Sequence, residues 1–545
     1  MNISVFDVIG PIMVGPSSSH TAGANRLARI ARLIAGKAFS RVSFGLYGSF
    51  AKTYRGHGTD KALVAGALGF KEDDERLSQS FALAEAAGIA YDFYEAELEG
   101  YHENSVIITF YNQDEAIAEV IGSSTGGGGI LICSINGFET EFTAQSSTLV
   151  IRQYDKKGVI SNITHVLAEN NINIGIMKVS RKAKGGIACC IIETDSPLLP
   201  EVVAAIGKAE GVISVQAINP LVEDEGEAGT LANGGGGIRE QGEPGKAGYS
   251  NIADLLRLAS EGGLPLWAPV LQNEMELAGL DEAAIFKKLD QHYEVMLQAA
   301  GRAALTSFSI KDSLIGGLAH QQNTYALQGE GISGSFINKV MARALSCSEV
   351  NASMGRICAA PTAGSCGILP SVLISLGEKY GLARRQILEG LLTAAGIGAV
   401  ITCNATVAGA EGGCQAECGS AAAMAAAAAV QMAGGTAAMA VQACSLALIN
   451  VMGLICDPVA GLVQMPCAQR NASQAVNALI SADLALAGMF SIIPADEVIQ
   501  AMYKVGCQLP EALRETAMGG IAATATAKEI TCRMFAPRPG AAVEK

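Results

Sequence analysis

The sequence predicts a multidomain α+β protein with an α/β N-terminal domain, a ferredoxin-like (βαββαβ) domain and an all-α C-terminal domain. Three observations lead to this fold class. The chain has 545 residues, too many for one hydrophobic core, since domains of about 150 residues are usual. Segments with strand and helix patterns alternate in the first part, whereas nearly every segment of the last part has helical spacing. A Gly- and charge-rich stretch, 223–248, separates the two parts and is typical of a flexible linker.

The N-terminal domain, predicted to span residues 1–146, contains both kinds of element. The stretches SRVSFGLYGSFA and NSVIITFY have the alternation and the β-branched or aromatic content of strands. The stretch ANRLARIARLIAGKA instead repeats its apolar residues at helical intervals and places Arg and Lys on the opposite face. An α/β domain is therefore expected.

The next domain, predicted over residues 147–222, follows the order strand, helix, strand, strand, helix, strand. Its first strand is TLVIRQY, its last is VISVQAI, and its helices are GVISNITHVLAENN and LPEVVAAIGKAEG. This order is ferredoxin-like, and the pattern resembles an ACT domain, a regulatory module that senses amino acids. The resemblance implies that a ligand contacts Asp155 and Gly158 after the first strand and Asn173 past the first helix. The alternative is that YDKKG is an ordinary turn and that Asn173 caps a strand.

The C-terminal domain, predicted over residues 249–545, is expected to be a helical bundle in which Ala and Gly let backbones approach closely. Its run from Cys418 to Cys456 contains no charged residue and is long enough to span a bilayer. The run is rich in Ala and Gly, however, and lacks flanking Lys/Arg clusters and aromatic belts. Buried helices of a soluble domain are therefore favoured over a membrane span.

The composition narrows the possible partners and the compartment. A net charge of -14 disfavours non-specific binding to nucleic acids or to anionic membranes. The first residues, MNISVFDVIGPIMVG, lack a basic region and carry Asp7 in their apolar run, so no signal peptide is predicted. We expect a cytoplasmic protein whose 14 cysteines stay reduced. These cysteines are then core residues, metal ligands or reactive thiols.

Three cysteines of the C-terminal domain lie in bends that are rich in small residues. Cys366 precedes a helix in APTAGSCGILP, and Cys403 and Cys414 lie in ITCNATVAGAEGGC. Such bends leave room, and backbone N–H groups, beside an inorganic cluster, and the spacings match neither a zinc ribbon nor a bacterial ferredoxin. Three thiolates would leave one iron of a cluster open as a Lewis acid. The alternative is that these cysteines are small apolar residues of the core. This alternative is favoured for Cys189 and Cys190, which lie in a strand pattern.

The stretch GPSSSHTAGA, Gly15–Ala24, places five hydroxyl or imidazole side chains before a predicted helix. Hydroxyl groups and the free backbone N–H groups of a helix N-terminus form a site for an anion such as a carboxylate. A plain N-cap needs only one Ser or Thr, so a binding site is favoured over a cap. The five residues are Ser17, Ser18, Ser19, His20 and Thr21.

A histidine in RGHGTD is the first candidate for a general base. His57 lies between two glycines, so a ligand can approach the backbone closely, and imidazole titrates near neutral pH. His20 is the next candidate. His102 and His292 lack glycine neighbours or polar companions, and an incidental position is favoured for both.

A polar loop interrupts the helical pattern at CDPVAGLVQMPCAQRNA, Cys456–Ala472. It brings prolines together with Asp457, Gln464 and Arg470. In an Ala-rich domain such a loop usually lines a cavity. The alternative is a simple connection between helices.

Taken together, these motifs resemble the iron–sulfur-dependent L-serine dehydratases (L-serine ammonia-lyases). GPSSSHTAGA and RGHGTD are similar to the family's β portion. APTAGSCGILPSVL, NATVAGAEGGCQAECG and CDPVAGLVQMPCAQRN are similar to its catalytic α portion. The two portions are separate chains in some members, with the ACT module at the end of the β chain. This sequence resembles both chains fused through the Gly-rich linker.

The resemblance implies conversion of L-serine to pyruvate and ammonia with a [4Fe–4S] cluster held by three cysteines, which map onto Cys366, Cys403 and Cys414. It implies that the open iron accepts the substrate's hydroxyl group and that a histidine, His57 or else His20, removes the Cα proton. The serine-rich turn, Ser17–Thr21 with His20 inside it, would bind the carboxylate. Expected partners are L-serine, an amino-acid or cation effector at the ACT domain and a second copy in a homodimer, with no nucleic acid and no membrane.

Two other functions remain open from the residues alone. A pyridoxal-phosphate dehydratase would need a Schiff-base lysine and a phosphate site, and lysines are sparse in the polar bends of the helical domain. The second is a non-catalytic amino-acid sensor built on the ACT domain. The polar bends of the helical domain argue against it, because a sensor of this kind does not require them.

Overall fold

The computed structural model describes residues 1, 3–219, 248–306, 313–329 and 331–535. The linker predicted at 223–248 lies outside the described residues except for its last position. The chain divides into two compact units. One, the helical unit, comprises Met1–Ser18, Pro244–Met275 and Leu280–Lys545, and the other, the mixed unit, comprises Ser19–Glu243 and Glu276–Gly279.

The first segment of the chain, Met1–Ser18, belongs to the helical unit, although the sequence predicts it as the start of the N-terminal domain. It forms a short helix, α1 (Val5–Val8), which is capped by the side chain of Ser4, and a strand, β1 (Ile12–Val14). β1 pairs antiparallel with the strand Arg356–Cys358 of the same unit. The N-terminal segment therefore completes a two-stranded sheet inside the helical unit.

Apolar burial and one buried carboxylate hold this segment in place. Ile9 is fully buried, and Val8 lies against Gly398 of a long helix, where an added Cβ would be 2.4 Å from Val8 Cγ1. The absence of a side chain at Gly398 thus lets the two backbones approach. Glu274 accepts a hydrogen bond from the backbone N–H of Val5 at 2.9 Å, which satisfies a donor of the first helical turn.

The mixed unit begins with an α/β domain built on a six-stranded sheet. Helix α2 packs on this sheet through its apolar face, where Leu27 contacts the position of Gly122. The elements are α2 (Ala24–Ala35), β2 (Arg41–Leu46), α3 (Ser49–Thr53), α4 (Thr59–Leu68), α5 (Ser80–Ala86), β3 (Ala90–Glu95), β4 (Ser105–Asn112), β5 (Glu115–Gly126), β6 (Gly129–Ile135) and β7 (Phe138–Phe142). The strand order is β3-β2-β4-β5-β6-β7, in which β2 and β3 are parallel and the other neighbours are antiparallel.

A second domain of the mixed unit has the βαββαβ order that the sequence predicts. One core, which includes Leu149, Ile163, Cys190 and Ile206, joins both helices to the sheet. The elements are β8 (Ser147–Tyr154), α6 (Val159–Glu169), β9 (Ile174–Arg181), β10 (Ile187–Thr194), α7 (Pro200–Gly207) and β11 (Val212–Ile218). The sheet is antiparallel with the order β11-β8-β10-β9, so the ferredoxin-like prediction is confirmed.

The helical unit continues after the linker and is almost entirely α-helical over its described residues. Its elements are α8 (Ile252–Gly262), α9 (Trp267–Ala278), α10 (Glu282–Leu305), α11 (Leu318–Gln328), α12 (Gly334–Ala352), β12 (Arg356–Cys358), α13 (Ile368–Tyr380), α14 (Arg384–Asn404), α15 (Gly409–Gly412), α16 (Ser420–Met432), α17 (Ala437–Ile449), α18 (Cys467–Leu486), α19 (Ala495–Gln508) and α20 (Ala525–Phe535). Together with the two domains of the mixed unit, this confirms the predicted fold class.

The Ala-rich helix α16 lies at the centre of the helical unit and buries every side chain except that of Gln431. Small side chains let its neighbours pack closely on all sides. One described helix, α14, is long and apolar enough to cross a membrane by length and composition, and most of it is buried inside the protein. Central helices of large helical domains meet the same criterion.

Candidate functional site

Four buried cysteines gather in the helical unit. Cys414 and Cys418 lie one turn apart, Cys414 just before a π-helical turn, Gln415–Gly419, and Cys418 within it. The thiols of Cys418 and Cys456 donate hydrogen bonds to Cys414 Sγ and hold the pKa of Cys414 well below its usual range. Burial, and then the charge of nearby Cys414, raise the pKa of Cys467, the first residue of α18. We call Cys414, Cys418, Cys456 and Cys467 the cysteine cluster.

An arginine donates directly to this cluster. Arg470 Nη1 lies 3.4 Å from Cys414 Sγ, and Arg470 Nη2 donates to Asp457 Oδ1 at 2.7 Å. The other carboxylate oxygen of Asp457 accepts the backbone N–H of Ile521 at 2.7 Å. Asp457 therefore fixes the guanidinium against the sulfur, where its charge stabilises a thiolate.

Two half-buried glutamates approach the cysteine cluster with their carboxyl groups. An oxygen of Glu417 and the sulfurs of Cys414 and Cys418 all lie within 4.8 Å of one another. Burial raises the pKa of Glu417 well above its usual range, and burial and then the charge of Cys414 raise that of Glu515 to about 7. An added Cβ at Gly409 would lie 3.3 Å from an oxygen of each Glu and 3.5 Å from Cys456 Sγ. Glycine at this position leaves the space in which these groups converge.

Within the helical unit, contacts lead from this cluster toward the serine-rich turn. Thr362 Oγ1 donates to Glu417 Oε1 at 2.6 Å. The carbonyl of the next residue, Ala363, accepts a hydrogen bond from Asn351 Nδ2 at 2.9 Å, and the same Nδ2 lies 3.4 Å from the carbonyl of Pro16. Pro16 opens the serine-rich turn, so Ser17 and Ser18, both buried, follow at once in the chain.

Two of the three predicted cluster ligands lie outside the cysteine cluster. Cys366 is buried, and its thiol donates to the carbonyl of Cys347 at 3.9 Å. The predicted bend before it exists as a 3₁₀ turn, Ala363–Ser365. The room in that bend is taken by a carboxyl group, because an added Cβ at Gly364 would lie 2.5 Å from Glu417 Oε1.

Cys403 is exposed, and its Sγ contacts the Sδ of Met1 at 3.3 Å. Cys403 is predicted to lie in a bend, but it is the next-to-last residue of α14. Its side-chain direction is therefore set by the helix, and its described contact is with the N-terminal residue. Of the predicted set, Cys414 alone belongs to the cysteine cluster.

Sequence reasoning missed Cys456 and Cys467 as candidate ligands. Both lie in the polar loop Cys456–Ala472, which is predicted to line a cavity, but the residues predicted to matter there are Asp457, Gln464 and Arg470. Two cysteines at the two ends of one proline-containing loop were the available signal, since both enter the site when the loop folds back. Cys456 is held there by a backbone bond to the carbonyl of Leu513 at 2.9 Å.

The cysteine cluster fits an iron–sulfur group by the chemistry of its donors. Thiolates are the usual ligands of such groups, and this site brings buried thiols together with a polarising guanidinium. Donors that point at the sulfurs and a shell that excludes water tune such a group. Cys414 precedes the π-helical turn, Cys456 lies in the loop between α17 and α18, and Cys467 begins α18, whereas Cys418 shares one turn with Cys414.

In the mixed unit, the two candidate histidines lie side by side. The rings of His20 and His57 stack with their centroids 4.5 Å apart. Thr21 Oγ1 donates to the carbonyl of His57 at 2.8 Å, and His20 Nε2 lies 3.0 Å from Ser49 Oγ. The last part of the serine-rich turn and the RGHG turn are thus joined. Ser19 also takes part, because its carbonyl accepts a hydrogen bond from Ser124 Oγ at 2.8 Å.

Burial keeps both imidazoles neutral near neutral pH. It lowers the pKa of His57 to about 4, and only a hydrogen bond that His57 donates to the backbone carbonyl of Thr53 opposes it. Burial, and then the charge of His57, lower the pKa of His20 well below its usual value. A neutral imidazole is the form that can accept a proton.

The residues expected to bind an effector lie in the ferredoxin-like domain. Asp155 accepts hydrogen bonds from Arg181 Nη1 at 2.7 Å and from the backbone N–H of Gly185 at 2.9 Å. Gly158 has φ +92° at the N-cap of α6, a conformation that favours glycine. Asn173 Nδ2 donates to Asp195 Oδ2 at 2.5 Å. Asp155 and Asn173 thus have structural partners as well as positions at the loops where a ligand is expected.

Models of known protein families match three parts of the chain. The model of the serine dehydratase alpha chain matches residues 261–522, that of the serine dehydratase beta chain matches residues 4–92, and that of the ACT domain matches residues 147–211.

Individual relatives match the same parts. The alpha chain of the L-serine dehydratase of Peptoniphilus asaccharolyticus is 52% identical over 277 residues, which is 51% of this chain and 95% of the relative. The beta chain from the same organism is 44% identical over 204 residues, which is 37% of this chain and 92% of the relative. The L-serine dehydratase of Streptomyces coelicolor is 29% identical over 530 residues, which covers 96% of this chain and 99% of the relative.

Proposed function

The chain belongs to the serine dehydratase family, and from this premise we propose that it is an L-serine ammonia-lyase, which converts L-serine to pyruvate and ammonia. The resemblance to serine dehydratases that the motifs suggest is thereby confirmed. The observation that carries the proposal is that the cysteine cluster and the start of the serine-rich turn, up to Ser18, belong to one compact unit. The cysteine cluster and the start of the serine-rich turn are joined there through Glu417, Thr362 and Asn351.

We further propose a division of labour along the chain. Residues 1–146 form the part that binds substrate, residues 147–222 the regulatory ACT domain and residues 249–545 the part that carries the cluster, with 223–248 as linker. The matches to the beta-chain, ACT and alpha-chain models support this order. Residues 1–18 depart from it, because they share a compact unit with the third part.

For the cofactor we propose a [4Fe–4S] cluster held by Cys414, Cys456 and Cys467, in place of the predicted set with Cys366 and Cys403. When bound, such a cluster with three protein ligands supplies a Lewis-acidic iron that helps a hydroxyl group to leave. Arg470 stabilises the negative charge of the Cys414 thiolate through its 3.4 Å contact. The burial of all these sulfurs excludes water from the site.

The serine-rich turn is proposed to hold the substrate's carboxylate. Its hydroxyl groups and the free N–H groups of a helix start are donors suited to an anion. The turn is π-helical from Ser18 to Gly23, a rare conformation that is frequent at functional sites. The residues proposed for this role are Ser17, Ser18, Ser19 and Thr21. A carboxylate fixed in this way orients Cα for proton removal.

His57 is proposed as the base that takes the Cα proton, with His20 as its neighbour and the second candidate. Both rings are neutral near pH 7 because they are buried. The centroids of the two rings lie 4.5 Å apart, so a positive charge on one ring disfavours a second positive charge on the other. The pair can therefore accept one proton in a catalytic cycle.

We propose that an amino acid or a cation acts as an effector at the ACT domain, through Asp155, Gly158 and Asn173. A homodimer in the cytoplasm is proposed for the whole protein. Degradation of an amino acid to pyruvate would place the enzyme at the entry of carbon into central metabolism.

The function is tested by measuring pyruvate and ammonia release from L-serine by anaerobically purified protein after treatment with iron and sulfide. We expect equal amounts of both products, activity that rises with iron content, and no adduct on any lysine after borohydride treatment. His57→Ala is the matched variant, since it should keep the iron and lose turnover. Binding of amino acids without any turnover by the iron-loaded protein would contradict the proposal and favour a sensor.

A further inference from the structure

Asn351 is a buried residue near the end of α12 to which the proposed function assigns no contact with the substrate. It is 1% exposed, and its Nδ2 donates to the carbonyl of Ala363 and faces the carbonyl of Pro16. Its Oδ1 has no hydrogen-bond partner among the residues that the structure describes. A buried acceptor left without a donor costs free energy, so native proteins rarely keep one without a reason.

The orientation of this amide is fixed by its neighbours. Carbonyl oxygens only accept hydrogen bonds, so the NH₂ group of Asn351 must face Ala363 and Pro16. Rotating the amide by half a turn would place Oδ1 against two carbonyl oxygens. The free acceptor is therefore Oδ1, and it points away from both backbones.

The position of Asn351 matches the layout of the substrate. L-Serine carries its carboxylate and its ammonium group on Cα and its hydroxyl group one carbon further. Pro16 leads directly into the turn proposed to bind the carboxylate, and Ala363 follows Thr362, which contacts Glu417 beside Cys414. Asn351 contacts the backbone at both ends, and its Oδ1 is therefore a candidate acceptor for the ammonium group between them.

We propose that Asn351 Oδ1 accepts a hydrogen bond from the α-ammonium group of the substrate. Through this hydrogen bond, Asn351 selects amino acids over hydroxy acids. The inference rests on the proposed function. A site built to pair a charged donor rejects an analogue that lacks it, because the acceptor is then left buried and unpaired. The selected ligands are short α-amino acids.

The test compares two competitive inhibitors that each lack one group of L-serine. L-Alanine keeps the ammonium group and lacks the hydroxyl group, whereas 3-hydroxypropionate keeps the hydroxyl group and lacks the ammonium group. Asn351→Ala should weaken L-alanine binding about 10- to 100-fold, as expected for a hydrogen bond to a charged group. It should change 3-hydroxypropionate binding less than about threefold. Calorimetry gives both constants without turnover.

A purely structural role predicts a different result. If the side chain of Asn351 only ties Pro16 to Ala363, both inhibitors weaken together, and that outcome overturns the inference. The matched control is Asn338→Ala in the same helix, because Asn338 is also buried and its amide is satisfied on both sides by Gln322 and Gly334. The control should leave the ratio of the two constants unchanged.

A second variant keeps the test decisive if Asn351→Ala does not fold. Asn351→Ser removes the amide and leaves a small hydroxyl group that can still donate to a neighbouring carbonyl, and it too should weaken L-alanine binding more than 3-hydroxypropionate binding; equal weakening of both would overturn the inference. The proposed function is judged separately, by turnover of L-serine by the unmodified protein. If that protein turns over L-serine but the ratio of inhibitor constants is unchanged in Asn351→Ala, only the inference fails.

Discussion

The buried state of His57 predicts an unusual dependence of activity on pH. The perturbation is a decrease from pH 8 to pH 5.5 under anaerobic conditions. An ordinary histidine with a pKa of 6.5 is about 9% neutral at pH 5.5, whereas a group with a pKa of about 4 is about 97% neutral. If neutral His57 is the base, kcat/KM should stay nearly constant over this range, whereas an ordinary histidine would lose about tenfold.

The assay is the initial rate of pyruvate release at low L-serine concentration, because kcat/KM reports the free enzyme. Iron and acid-labile sulfide are measured at each pH so that loss of the cofactor is not mistaken for protonation of a base. An acid limb with its midpoint near pH 6.5, at constant iron content, would refute the assignment of a buried neutral base. A midpoint below about pH 5 supports it.

The same shift predicts how folding stability depends on pH. The folded-state pKa of His57 lies below the unfolded value, so the unfolded chain takes up a proton first as the pH falls. The contribution of His57 to the free energy of unfolding is therefore fully present above about pH 6.5 and decreases as the pH falls toward 4. Between pH 7 and pH 5 the loss from His57 is about 2 kcal/mol. His57→Asn should remove this loss, whereas the exposed His165 on α6 gives a control substitution, His165→Asn.

Three further predictions concern other parts of the chain. Cys467→Ala should lower the iron and sulfide content per chain by more than half, because it removes a proposed ligand, whereas Cys403→Ala should leave both unchanged; loss of iron in the second variant would favour the set Cys366, Cys403 and Cys414 instead. Asn173→Ala should alter the response of the activity to added amino acids or cations at constant iron content, and a change in iron content instead would contradict its place in a regulatory domain. Ile9→Ala should destabilise the helical unit by about 2–5 kcal/mol, since Ile9 is fully buried, and thermal unfolding followed by circular dichroism should show it against Leu33→Ala, an exposed control.

Local sequence patterns predicted the fold well where the structure of an element depends on its own residues rather than on distant partners. The βαββαβ order was readable because each element has a clear period and each is bounded by turn residues. The placement of Met1–Ser18 could not be read in this way, because its partners lie far along the chain. Nothing in MNISVFDVIGPIMVG specifies that β1 pairs with β12 rather than with the nearby strands.

The candidate site was predicted in part for the same reason. The serine-rich turn and the RGHG turn can each be recognised from their local composition. The choice among cysteines instead depends on how the loop between Cys456 and Cys467 folds back toward Cys414. This folding depends on contacts between residues that are distant in the sequence. Composition of the bend favoured Cys366, yet Glu417 fills the space beside Gly364.

The early position of β1 in the chain has a consequence for biosynthesis. Met13 pairs with Ile357, so a ribosome must add about 340 residues before the partner strand exists, which takes about 20 to 70 s at ordinary elongation rates. During that interval the apolar strand β1 has emerged from the ribosomal exit tunnel, but its partner strand β12 has not yet been synthesised. Holdase chaperones that bind nascent apolar segments should therefore associate with the segment that contains β1 until β12 has also emerged from the ribosome.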